Sequence, residues 1–99
     1  MLIVAGHFDV DPAQREQFIE DRVAIIGSSR AEEGCISYAF SPDPIEPGRV
    51  LLFERWESKA ALAAHLTGLQ SAPAAATDIA VLDAEIQQYE ISDIGPVGS

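Results

Sequence analysis

Residues 49–66 read RVLLFERWESKAALAAHL, and the change of character halfway along this stretch decides the fold. Val50-Leu51-Leu52-Phe53 is an unbroken apolar run of strand formers, which predicts a strand buried on both faces. Ser58 then supplies an N-cap, and Lys59 to Leu66 is nearly all alanine and leucine, a strong helix former. The chain's one Trp, Trp56, therefore closes a buried strand, and His65 lies a turn or two into the next helix. The period of two puts Glu54 on the Trp56 face, with Leu52 and Val50 behind it. A carboxylate in that setting must be paired or have a raised pKa, and the latter suits a base.

Upstream, Leu2 to Val10 predicts a first strand, with Leu2, Val4, Gly6, Phe8 and Val10 on one face and Ile3, Ala5, His7 and Asp9 on the other. Gly6 in mid-strand marks a bulge or a close approach of other backbone. Asp11 and Pro12 open a helix as cap and first residue. Phe18, Ile19, Val23, Ile25 and Ile26 form its apolar stripe, and Arg15, Glu16, Glu20, Asp21 and Arg22 fall largely off it. That helix is expected to run to about Glu32 and stop at Gly34. Cys35 to Phe40 predicts a second strand. Pro42, Pro44 and Pro47 make residues 41–48 a connection.

Downstream, Thr67-Gly68 is expected to end the focal helix, and Ser71-Ala72-Pro73 to open another through Ala80. Leu82 to Ser92 predicts a last strand. Its apolar residues change parity at Gln87-Gln88, the signature of a β-bulge. The order strand, helix, strand, strand, helix, helix, strand gives an α+β fold, a four-stranded sheet with helices on one face. The other face would carry Leu51, Phe53, Ile3 and Ala5. An apolar face of that size is not left to water, so a second copy of the sheet and a symmetric homodimer are expected.

Ninety-nine residues predict one domain over 1–99, with a small core. With one Trp, two Tyr and four Phe, aliphatic packing must carry that core. No apolar run approaches a membrane span, and no basic region precedes an apolar one at the N-terminus, so a soluble, cytoplasmic protein is the default. The single Cys35 excludes an internal disulfide and a cysteine-cluster metal site. The net charge of −10, with no Lys or Arg after Lys59, repels phosphate backbones and anionic lipid. Neither nucleic acid nor membrane is an expected partner. No Ser/His/Asp order, phosphate loop or metal-ligand spacing is present.

Glu32-Glu33-Gly34-Cys35, Tyr38, Phe53-Glu54-Arg55-Trp56-Glu57-Ser58 and Ala64-His65-Leu66 together resemble the antibiotic biosynthesis monooxygenase family, with the quinol monooxygenase branch nearest. The resemblance covers essentially the whole chain. It implies a dimeric α/β-barrel of ferredoxin-like subunits, each with a pocket between sheet and helices. It also implies oxidation of a small quinol or hydroxylated aromatic by O2 with no cofactor, neither metal nor flavin, the deprotonated substrate itself reducing O2. On that basis His65 with Glu54 would take the proton, and Trp56 and Tyr38 would shape the pocket.

Gln70 stands where quinol-type relatives tend to carry a second His, and with Gly6 it joins the substrate-binding candidates. The haem-degrading branch uses an Asn in the first strand and a His on the last helix; Gly6 and Ala74 to Ala76 occupy those places, which argues against that activity. Each candidate also has a plainer reading. Trp56, Tyr38 and His65 could be core, Glu54 half of an ion pair, and His7 and Cys35 packing residues. The competing function is a non-catalytic small-molecule-binding or stress-response dimer of the same fold.

Overall fold

The computed structural model describes residues 1–71 and 78–98. Four eight-residue strands, Leu2–Asp9 (β1), Cys35–Pro42 (β2), Arg49–Trp56 (β3) and Asp83–Glu90 (β4), form one antiparallel sheet in the order β2-β3-β1-β4. Three helices, Arg15–Glu20 (α1), Val23–Arg30 (α2) and Lys59–Ser71 (α3), pack on one side of it. This is the expected α+β, ferredoxin-like arrangement. Leu2, Tyr38 and Trp56 meet Leu62 of α3 in one core cluster, flanked by Ile25 and Ile26 of α2. Val10, Phe18 and Val50 form a second.

Several boundaries differ from the expectation, each for a local reason. The first helix is not continuous to Glu32. Asp11 does cap the start, accepting from Ala13 N at 2.9 Å, but a 3₁₀ turn over Pro12–Gln14 leads into α1, and the chain turns at Asp21-Arg22 before α2. The helix stops at Arg30, short of Gly34. Gly34 serves another purpose. Its φ is +85° and a Cβ there would lie 2.5 Å from the Ala61 Cβ, so only glycine lets this loop touch α3.

The β3 strand is buried on one face only. Val50, Leu52, Glu54 and Trp56 point under the helices, while Leu51 and Phe53 are 38% and 42% exposed. The unbroken apolar run thus serves two different surfaces. The β4 register against β1 runs without a break from Asp83 to Glu90, so no bulge lies at Gln87-Gln88. Its apolar residues change parity because Ile86 faces the helices and Tyr89 faces the open side. The sheet's irregularity lies instead in β2, between Cys35 and Ser37. Helix α3 passes Thr67-Gly68 and reaches Ser71. The further helix expected through Ala80 falls largely on residues 72–77, outside the described residues, and 78–80 form neither helix nor strand.

At Gly6 the alternative to a bulge holds. A Cβ there would meet the Glu85 carbonyl oxygen at 1.9 Å and the Ile86 Cα at 2.7 Å, both backbone atoms of β4. Gly6→Ala must push the two strands apart. A loss of about 1–3 kcal/mol or more is expected in denaturant unfolding, as for other overpacked sites.

Candidate functional site

Because β3 alternates, Glu54 is carried under the helices between Leu52 and Trp56 and is only 6% exposed. The indole two residues on reaches back, and Trp56 Nε1 donates to Glu54 Oε1 at 3.0 Å. His65, from the inner side of α3 and 2% exposed, places Nε2 3.9 Å from the same oxygen. Its other nitrogen, Nδ1, lies 2.8 Å from Glu32 Oε2 in the loop after α2. An ionised carboxylate only accepts, so Nδ1 carries a proton in that pair and Nε2 is left facing Glu54. The imidazole is held by rings as well, its centroid 4.6 Å from Trp56 and 5.4 Å from Tyr38.

Burial pushes the Glu54 carboxyl above its ordinary range. The Trp56 hydrogen bond and the His65 ring pull it back in part, and the Glu32 charge adds to the rise. Tyr38, opposite Glu54 in the strand register, is pushed up to about 12, chiefly by burial and then by the Glu54 charge. It remains a neutral hydroxyl at any physiological pH. Burial first, then Glu32 and Glu54, also raises the Cys35 thiol, which fits the inert role expected for it.

Next to Glu54 lies a cavity of about 330 Å³ between sheet and helices. Its sheet side is made by Val4, Phe8, Leu52 and Ile86, with Tyr38 and Phe40 at one flank. Ile25, Leu66 and Leu69 border it on the helix side, where it opens to solvent, and Glu54, Tyr38 and Arg22 are its polar groups. A depression of similar size, about 370 Å³, runs beside α1, but its walls are largely exposed side chains such as Glu16, Glu20 and Pro42.

The geometry brings Glu54, Trp56, His65 and Tyr38 together and separates their tasks. Trp56 and His65 do not line the cavity. Their rings pack against each other at a tilt, one layer behind the wall, because the short Ala61 and the loop at Gly34 let α3 sit close to the end of β3. Gln70 is exposed on α3 and stands off the wall, and Gly6 is occupied by the approach of β4. His7 lies on the opposite face, 3.7 Å from Asp9.

Two residues escaped the sequence reading. Glu32 is 33 positions from His65, and nothing local announces the pair. Arg22 was placed off the apolar stripe, yet Phe18, Arg22, Ile25 and Ser29 recur at four, three and four and form the inward line of this segment. A stripe drawn through apolar residues alone passes over a charged member. Among the described residues, no three His, Cys, Asp or Glu side chains group as a metal site.

Comparison with known proteins agrees with this layout. A protein of Deinococcus radiodurans, named provisionally as an antibiotic biosynthesis monooxygenase, superposes with a TM-score of 0.84 at 28% identity, covering 100% of both chains. The uncharacterised protein sll1783 of Synechocystis is 36% identical over 98 residues, 93% of this chain, which spans only 64% of that protein's length. YcnE of Bacillus subtilis, provisionally a monooxygenase, is 29% identical over 66% of this chain and 68% of its own. The pattern described as Antibiotic biosynthesis monooxygenase matches residues 1–76, and the chain belongs to that family.

Proposed function

We propose that this protein is a cofactor-independent monooxygenase that oxidises a small quinol or related hydroxylated aromatic with O2, and that Glu54 is its base. The observation that carries this reading is a single one. A carboxylate with a raised pKa stands on the wall of an otherwise largely apolar cavity whose volume, about 330 Å³, lies at the small end of ligand sites. His65 is not in position to take the proton from a ligand itself. It stands behind Glu54, fixed by Glu32, while the Trp56 indole orients the carboxylate and stabilises its charge.

In this reading Glu54 removes the hydroxyl proton, and the electron-rich ring passes one electron to O2. The two radicals join at a ring carbon as a peroxide. Glu54 returns its proton to the peroxide; the O–O bond then breaks as the ring carbon gives up its hydrogen, leaving a carbonyl, so one oxygen atom enters the product and the other leaves as water with those two hydrogens. Tyr38, neutral and on the same wall, shapes the pocket beside Glu54.

The unit that does this is a homodimer. Leu51 and Phe53 stand out on the open sheet face, both flanks of β4 are exposed, and Ile94 and Val97 in the tail are 64% and 106% exposed. A second sheet would cover them. No helix among the described residues is long and apolar enough to cross a membrane.

The reading is tested by oxygen uptake against a panel of quinols and anthrones. Turnover should rise with pH through the raised carboxyl pKa of Glu54, since only the ionised form accepts a proton. Trp56→Phe removes the hydrogen bond that holds this pKa down, so the rising limb should move to higher pH. A profile unmoved by that change would separate Trp56 from the base. Ligand binding without oxygen uptake on any panel member would turn the reading to a binding protein of the same fold.

A further inference from the structure

Among the described residues, Arg22 is the one cationic side chain on the wall of the cavity. It sits half-buried in the turn between α1 and α2, with its guanidinium carbon 3.5 Å from the Phe18 ring centroid and 6.0 Å from that of Phe40. Its Nη1 donates to the Phe18 carbonyl at 3.2 Å. A guanidinium has five N–H groups, so among the described residues most of its donors are left over. Among the described residues, no carboxylate lies within ion-pair distance of it. The neighbouring Asp21 takes its hydrogen bond from Gln17 instead, at 2.6 Å. Burial disfavours the charged guanidinium, and the nearby Asp21 charge offsets that only in part.

Tyr38 pairs with Glu54 and Phe40 pairs with Leu52, so Phe40, on the Arg22 side, lies about one strand repeat, roughly 7 Å, along the sheet from the Tyr38–Glu54 rung. The wall between is apolar and aromatic.

We propose that the cavity takes a hydroxyaromatic carrying a carboxylate or similar anionic group, which forks onto Arg22 while the hydroxyl at the far side of the ring meets Glu54. Arg22 is thereby the residue that selects the charge of the ligand, through the charge-assisted, bidentate bonds a guanidinium makes to a carboxylate. The inference rests on the proposed function only in taking Glu54 as the hydroxyl end.

The test is equilibrium binding, by calorimetry and by fluorescence of Trp56, of 4-hydroxybenzoate against 4-hydroxybenzamide, which has nearly the same shape without the charge. The benzoate should bind about tenfold more tightly or better, Arg22→Gln should reduce that preference to about twofold or less, and Arg22→Lys should keep part of it. Equal or tighter binding of the amide by the unaltered protein would overturn the proposal, and that comparison needs no variant to fold. Binding of neither probe, or a preference that persists in Arg22→Gln, would overturn it too. Absent oxygen uptake counts against the monooxygenase reading alone; a lost charge preference with uptake intact counts against this one alone.

Discussion

Glu54→Gln should reduce oxygen uptake by about 10²–10⁴-fold while leaving aromatic binding nearly unchanged, the loss expected for a positioned base. The amide keeps the shape and can still accept from Trp56 Nε1, so the wall is preserved and only the proton acceptor is lost. The same variant should be more stable than the unaltered protein at pH 7. Burial raises the folded pKa of Glu54 above its ordinary value of 4.5. Below that value both folded and unfolded forms are protonated and nothing is lost. As pH rises, the unfolded chain ionises first, and the folded state is progressively disfavoured until its own raised pKa is passed. Thermal melts at pH 4 and pH 7 should therefore show a gain for Glu54→Gln that is larger at pH 7. A variant that is inactive and also less stable at pH 7 would mark Glu54 as a structural residue.

The second large effect is on assembly. Leu51→Asp with Phe53→Asp should convert a dimer to a monomer in sedimentation or sizing. Both side chains stand on the open sheet face, and in a two-fold interface each change acts twice. Buried apolar anchors of this kind contribute about 2 kcal/mol or more each, so dimer dissociation should increase at least about 10²–10³-fold. Because Leu51 and Phe53 point away from the core clusters, the protomer itself should still fold. An unaltered chain that elutes at its own 10.6 kDa would remove the dimer.

The sheet, the helix-covered face and the shared face of Glu54 and Trp56 were legible in the sequence because each rests on a period of two or on a cap. What was not legible depends on contacts distant along the chain. The break at Asp21-Arg22 carries no glycine or proline to announce it. The apolar run at residues 50–53 reads as doubly buried whether its outer face meets the same chain or another. The parity change in β4 looks like an inserted residue, since two apolar surfaces and one bulge leave the same pattern. His65 was visible as a candidate base, but its place behind Glu54 depends on the close seating of α3 against Gly34, which only the folded chain shows.

In the proposed reaction the protein's own carboxylate and the substrate's own electrons suffice for oxygenation. The measurement that tests this most directly is product analysis under isotopically labelled O2, with a chelator present and no flavin added. One labelled oxygen in the oxidised aromatic and one in water, at a rate the chelator leaves unchanged, is the result predicted. Product without label, or turnover that the chelator abolishes, would contradict it.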